Sequence, residues 1–505
     1  MPYFDNPVFG EDPASLGGLG CGSDCGCRGC RERTAQLSET YVPDDEEEEE
    51  PSSPSSVPPS PGSRPPPTAR RAAPLAGAFG WGGLGETPPP AGGGAGTRVV
   101  FIPGIMGSAL SARVGPLTLP VWGSTAMLTA FTGPVQLAAW RSAMASGNGM
   151  NHGGVITPSG LTRIALPAGR TIDPYSTIVS ELRSTFGAAN VLVFPYDWRL
   201  DNLHNGGRLV AAIRARWPDA AANRVTIIAH SMGGLVARAA IELAGGAPLV
   251  SRLLTVGTPH LGAPEALTLL ANVSNSAMGA FLLGPIGAAA GALVGSLSLM
   301  VRGYAGLIQL LPAYDFLLPR GTSSPEAVSA SYTRFRSDPF WTGVFGGSLL
   351  RSPASTRAVR AVNRALTGGL ATLDARLGST GTRYFTLAST DHDTAVQARE
   401  VAGPIVSPIK ARCGDGSVPV TSGFLPAGTH ITPLFIGSPR VHNDLFNDAS
   451  VRRLCLTIAS GGVPGSPTPA PGCATPPPPR SGLEGAFACP GCVAGEARAA
   501  GFAPA

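Results

Sequence analysis

Val225-Thr226-Ile227-Ile228-Ala229-His230-Ser231-Met232-Gly233-Gly234-Leu235-Val236-Ala237-Arg238 reads as a buried strand that turns sharply into a helix, with a serine at the corner. The run of β-branched residues suits a strand covered on both faces, and Leu235, Val236 and Ala237 favour the helix behind it. Such a corner is a nucleophile elbow, whose usual form G-x-S-x-G keeps its flanking residues small so that strand and helix can pass closely. Here the small residues are Ala229 and Gly233. The competing reading is a plain strand-to-helix turn, which many α/β proteins build without any nucleophile.

Outward from the elbow, the same alternation continues in both directions. Upstream, Arg98-Val99-Val100-Phe101-Ile102 is a strand entering the Gly-containing turn Pro103 to Gly107. Tyr175–Phe186 has a helical pattern, Val191–Phe194 is a strand and Gly207–Trp217 is helical again. Downstream, Arg252–Gly257 is a strand, Ser355–Leu377 is helix-forming, Tyr384–Ala388 and Ile431–Ile436 are strands, and a helix runs to about Ala459. Alternation of this kind predicts an α/β fold, a mostly parallel sheet with helices on both faces, over residues 98–460. Residues up to about Arg170 are expected to be loop-rich, anchored by Trp122 and Trp140.

Between about residues 263 and 337 the alternation stops. Phe281–Val301 is an apolar stretch without a charge, long enough to raise the question of a membrane span. Because it lies between strands of one sheet, an apolar cap over the site is the expectation, and Leu307, Leu310 and Leu311 would continue it. Such a cap also predicts transient contact with a membrane surface.

The ends differ in kind from the middle. Gly 67 and Pro 50 are concentrated there, while the whole chain is 43% hydrophobic and only 14% charged. Residues 1–42 carry Cys21, Cys25, Cys27 and Cys30 in a Gly-rich segment. Their C-x3-C-x-C-x2-C spacing is not a standard zinc arrangement, so no metal is expected, with zinc the competing reading. Residues 43–97 hold the acidic run Asp44–Glu50 and a Pro/Gly/Ser-rich linker that lacks the apolar residues to offset ordering entropy. Residues 461–505 are Pro/Gly-rich and contain Cys489-Pro490-Gly491-Cys492, weak evidence for redox work outside a thioredoxin-like context. Both ends are expected to be disordered. The N-terminus has no cationic start and no apolar core, which predicts a cytoplasmic chain or one exported by a non-classical route. The formal net charge is +4, Lys410 is the single lysine, and no basic stripe is interleaved with aromatics, which argues against a nucleic-acid partner.

A serine hydroxyl is a weak nucleophile, so Ser231 needs a base in reach and an acid to orient that base. In this fold class the order along the chain is Ser, Asp or Glu, then His. Functional groups collect at the carboxyl ends of strands. His442 follows the last strand, whereas His430 begins it, so His442 is the expected base. Asp415, in Cys413-Gly414-Asp415-Gly416-Ser417-Val418-Pro419, is the expected acid, with Asp391 its competitor. His230 is expected to pack the elbow. Oxyanion donors are expected from the amide of Met232 and from the turn after the first strand, Ile105 first and Met106 second. Met106, Trp198 and His260 are candidate substrate contacts; for Trp198 the alternative is an Asp197–Arg199 ion pair packed over its ring, and for His260 a turn role. No cofactor is expected.

The motifs Phe101-Ile102-Pro103-Gly104-Ile105-Met106-Gly107-Ser108, Pro195-Tyr196-Asp197-Trp198-Arg199, Ala229-His230-Ser231-Met232-Gly233-Gly234, Thr258-Pro259-His260-Leu261-Gly262 and Gly414–Pro419 together resemble the lecithin:cholesterol acyltransferase-like family of α/β-hydrolases. The resemblance spans about residues 98–460. It implies a serine lipase, esterase or phospholipase, or an O-acyltransferase, acting on a lipid or other hydrophobic ester. It further implies a triad of Ser231, Asp415 and His442, an oxyanion hole from Ile105 and Met232, and a lid. A non-catalytic binding or delivery protein on a hydrolase scaffold is the remaining alternative.

Overall fold

A computed structural model describes residues 96–127, 134–145, 155–165, 171–272, 301–327, 339–345 and 353–464. The cysteine-bearing N-terminal segment, the acidic linker, the C-terminal tail and the apolar run through residue 300 lie outside these residues. Among the described residues no helix is long and apolar enough to cross a membrane.

Six strands form the central sheet: β1 (Val99–Ile102), β2 (Val191–Val193), β3 (Val225–His230), β4 (Val250–Val256), β5 (Arg383–Ser389) and β6 (Ile431–Ile436). Their order is β6-β5-β4-β3-β1-β2, and every pairing is parallel. This is the α/β-hydrolase arrangement. Side chains alternate across each strand, so β1 sends Val99 and Phe101 to one face and Val100 and Ile102 to the other.

Each face has its own core. Val99, Phe101, Ile228, Leu254 and Phe385 pack with Ile178, Val179 and Leu182 of helix Ser176–Phe186 and with Val451, Cys455 and Ile458 of helix Ala449–Ala459. On the other face, Val100, Ile102, Ile227 and Leu253 pack with helices Asn202–Arg216 and Met232–Glu242. Burying one large apolar side chain is worth roughly 1.5–3 kcal/mol, which explains why β1 and β3 read as continuous apolar runs. The helices also have local start signals. The Asp201 carboxylate accepts from the Leu203 and His204 amides, and Asp448 accepts from Ser450 N–H.

Three regions carry more structure than their sequences suggest. The segment after β1 is an antiparallel sheet of Ser108–Val114, Leu117–Trp122 and Ile156–Leu161, with helix Pro134–Ala145, which buries the ring of Trp140, between its second and third strands. The helix-forming stretch over 355–377 is two helices, Pro353–Gly368 and Leu370–Thr380, interrupted at Gly369. After β5 the chain forms a hairpin, Asp393–Ala402 with Ile405–Arg412. That hairpin pairs with Asp315–Leu318 through Leu317–Ala398 and Leu318–Arg399, so part of the segment expected as a cap shares a second sheet with it.

The strand order positions the site. The chain steps from β1 to β2 on one side, then returns to lay β3 on the other side of β1. Loops leaving neighbouring strands at such a reversal diverge and open a crevice at the carboxyl ends. Here the loops are Pro103–Gly107 after β1 and Ser231 after β3.

Candidate active site

Ser231 sits between the end of β3 and helix Met232–Glu242 with φ 50° and ψ −128°. A non-glycine residue rarely takes positive φ, and holding one there costs about 1–3 kcal/mol that surrounding contacts must offset. Those contacts are visible. Ser231 N–H donates to the Val256 carbonyl at 2.9 Å, and the Ser231 carbonyl accepts from the Thr258 hydroxyl and from Gly234 N–H, each at 2.9 Å. A Cβ at Gly233 would collide with the Pro103 carbonyl, and one at Gly234 with the Thr258 hydroxyl. Ala229 is fully buried between Ile102 and Thr255 in the sheet register, so its methyl fits where glycine is usual.

Two further side chains converge on this corner. His442, in the short 3-10 turn His442–Asn447 after β6, brings Nε2 to 2.8 Å from Ser231 Oγ. Its Nδ1 lies 2.7 Å from Asp415 Oδ2. The other Asp415 oxygen accepts from the amides of Ser417 at 3.0 Å and Val418 at 2.7 Å, while His442 N–H donates to the Asp415 carbonyl at 2.8 Å. All three residues are buried, and the acid is held so that its free oxygen faces the imidazole. The competitor Asp391 is exposed and takes a bond from Thr390 Oγ1 instead. Asp391 lines an open groove of about 610 Å3 with Arg412, Gly416 and Val441. His430 stands before β6, near Asp374.

The turn after β1 comes close to Ser231 because β1 and β3 are neighbours. A Cβ at Gly104 would lie 2.9 Å from Ser231 Cβ. Gly107 N–H closes a β-turn onto the Gly104 carbonyl at 3.0 Å. Met106, its third residue, has φ 61°, a value that turns with this geometry normally reserve for glycine. Its carbonyl is fixed by the Trp122 indole N–H at 2.9 Å and the Thr162 hydroxyl at 2.7 Å. The small antiparallel sheet therefore anchors the turn. Ile105 N–H has no acceptor among the described residues, and Met232 N–H, at the first helical position, has none within its helix.

The other expected contacts, Trp198 and His260, are packed into the fold. Trp198 is fully buried, donates to the Ser108 carbonyl at 3.2 Å and packs edge-on against Trp122 and Tyr304. Asp197 and Arg199 form a bidentate ion pair at 2.6 and 2.9 Å. The structural alternative for this motif is the one the geometry favours. His260 is also fully buried, with Nε2 3.1 Å from Thr255 Oγ1 and its amide on the Ser422 carbonyl. Burial, then the nearby Arg238 charge, holds its pKa well below the ordinary 6.5. Its ring is held against β4 through Thr255.

Sequence reasoning gave three residues here no role at the site. Gly257 ends β4 with φ 60°, and a Cβ there would stand 2.9 Å from Asp415 Oδ2 and 3.2 Å from His442 Nδ1. Its signal was readable, since a glycine directly after a buried strand often marks close backbone approach. Thr258 follows it. Tyr175 contacts both His230 and Gly104, and nothing local distinguishes it from other tyrosines. Among the described residues no three His, Cys, Asp or Glu side chains gather as a metal site. Of the described cysteines, Cys455 is free and buried and Cys413 is disulfide-bonded.

Comparison with known proteins bears on the same region. Residues 120–328 match the family model described as lecithin:cholesterol acyltransferase. That span contains the elbow but stops before Asp415 and His442, which only the fold brings to Ser231. Among curated proteins nothing matches the chain. Similar solved structures include the Tle4-Tli4 complex, at 15% identity and TM-score 0.42, covering 72% of this chain and 98% of that one. Mature lipase BlEst2 of Bacillus licheniformis is 14% identical with TM-score 0.30, covering 72% and 92%. EstA from Clostridium botulinum is 15% identical with TM-score 0.30, covering 73% and 88%. Over residues 120–328 the chain is thus similar to the lecithin:cholesterol acyltransferase family.

Proposed function

We propose that the protein is a serine-dependent hydrolase of lipid or other hydrophobic esters, working through an acyl-enzyme. The observation that carries this reading is the unbroken chain from Ser231 Oγ to His442 Nε2 and from His442 Nδ1 to Asp415, at 2.8 and 2.7 Å. Ser231 attacks the ester carbonyl while His442 Nε2 takes its proton, and Asp415 stabilises the imidazolium without itself being protonated. Charge developing on the carbonyl oxygen meets the amides of Ile105 and Met232. Each such donor typically contributes roughly 2.7–4 kcal/mol to the transition state. His442 then protonates the departing alcohol. Water, deprotonated by His442, attacks the acyl-enzyme and releases the acid and free Ser231.

Transfer to an alcohol in place of water uses the same residues, and the acyltransferase family match favours keeping it as the second reading. The apolar hairpin tip, with Val401 and Ile405 each 47% exposed, supports transient contact with a lipid surface.

Rates on a panel of p-nitrophenyl esters of increasing chain length test the proposal, with wild type beside Ser231→Ala. Turnover by wild type alone is the expected result; equal rates for both would sink it. Product analysis with added long-chain alcohol then separates transfer from hydrolysis.

A further inference from the structure

We infer that Tyr175 and His230 form a positioning relay that ties the oxyanion turn to the general base. The inference rests on the serine mechanism proposed above. Gly104 N–H donates to the Tyr175 hydroxyl at 3.0 Å, that hydroxyl lies 2.8 Å from His230 Nδ1, and His230 Nε2 lies 3.0 Å from the carbonyl of His442. Proton positions follow from chemistry alone. A carbonyl only accepts, so His230 carries its hydrogen on Nε2; Nδ1 is then an acceptor, and the tyrosine hydroxyl must donate to it. Three hydrogen bonds therefore run in one direction, from the turn after β1 to the turn after β6.

Both glycines of the turn are shaped around this chain. A Cβ at Gly104 would stand 2.9 Å from His230 Nδ1, and one at Gly107 would stand 2.7 Å from the Tyr175 hydroxyl. Phe101 and Phe446 close on the Tyr175 ring at centroid distances of 5.4 and 6.1 Å, and Phe446 also packs edge-on against His230 at 5.5 Å. Burial, with the neighbouring His442 next, holds His230 well below the ordinary 6.5, consistent with a neutral ring that keeps one tautomer. The relay joins the backbone of Gly104, the residue before the Ile105 donor, to the backbone of the base itself. Neither side chain touches the reacting atoms. Removing the tyrosine hydroxyl orphans Gly104 N–H and His230 Nδ1 together, which frees the turn and the base to drift independently.

The test compares wild type, Tyr175→Phe, His230→Leu and the double variant on p-nitrophenyl butyrate. Competent sites are counted by stoichiometric labelling of Ser231 with a fluorophosphonate. A merely structural role lowers the number of competent sites and leaves the rate per site alone. The relay predicts that kcat per labelled site falls about 10-fold or more in each single variant, with KM within about twofold. It predicts that the double variant is no more than about twofold worse than the poorer single, because both changes break one chain. A kcat per site within twofold of wild type in Tyr175→Phe and in His230→Leu overturns the relay and leaves the serine mechanism standing. Absence of any Ser231-dependent turnover in wild type overturns both. If Tyr175→Phe does not fold, His230→Leu and the more conservative His230→Gln carry the same test.

Discussion

Two buried acid–base pairs in this protein have nearly the same dimensions and different consequences. Asp197 and Arg199 meet at 2.6 Å with side chains 3% and 1% exposed; Asp415 and His442 meet at 2.7 Å with side chains 2% and 3% exposed. The first pair is closed. Arg199 spends its donors on Asp197 and on the Met144 carbonyl, and Asn205 and Gly306 tie down the adjoining backbone. The second pair is open at one end, because His442 passes its other nitrogen to a serine hydroxyl on a strained corner, beside two amides that have no acceptor among the described residues. Burial and pairing alone therefore do not mark chemistry. What separates the two pairs is where the hydrogen bonds lead: His442 continues the second to Ser231 Oγ at the switch point of the sheet.

Breaking the open pair should cost turnover, and breaking the closed one should cost stability. The largest effect is expected for Ser231→Ala, on the order of 10^6-fold in kcat with the melting temperature nearly unchanged. Asp415→Asn should lower kcat by about 10^4-fold, since His442 loses the partner that sets its tautomer. A variant that melted early yet kept its kcat would erase the distinction. Arg199→Met, by contrast, leaves Asp197 buried and unpaired and should cost roughly 3–5 kcal/mol in denaturant unfolding. Its kcat per labelled site should stay within about twofold of wild type.

Gly257→Ala sharpens the comparison from the backbone side. The left-handed conformation alone costs an alanine about 1–2 kcal/mol, and the new Cβ pushes on both Asp415 and His442. We expect loss of that stability together with a fall of about tenfold in kcat, read from unfolding and from rates per labelled site.

The smallest effect is a pH dependence of stability. His230 and His260 are both held well below the ordinary imidazole value of 6.5, chiefly by burial. Above 6.5 both states leave these rings neutral and their contribution is intact. As pH falls through 6.5 the unfolded chain binds protons that the folded one refuses, so stability drops with acidification until the folded pKa values are reached. Melting curves between pH 8 and pH 5 should show this loss, and a flat profile would count against neutral burial of the two histidines.

Legibility in the sequence follows the range of the interactions. The strands of the central sheet are visible because burial leaves short runs dominated by apolar and β-branched residues. The hairpin over 393–412 is not, since its strands carry Asp393, Gln397, Arg399, Glu400, Lys410 and Arg412 and depend on a partner strand for their pairing. For Trp198 and His260 the sequence leaves a substrate contact and a packed role both open, and burial selects the packed one. Each follows a strand end, where sequence reasoning expects site residues, yet each ring turns inward to satisfy a polar atom within the fold.

By itself the sequence determined the elbow, because the small residues around Ser231 and the apolar run before it act on neighbouring backbone. It also narrowed the candidates for base and acid through their order along the chain. The tertiary structure decided the rest: which carboxylate faces His442, how near the turn after β1 comes to Ser231, and how closely Tyr175 and Gly257 approach them. Those contacts join residues as far apart in the chain as Ser231 and His442, 211 positions. No local pattern encodes such a distance; the packing of helices on the two faces of one parallel sheet does.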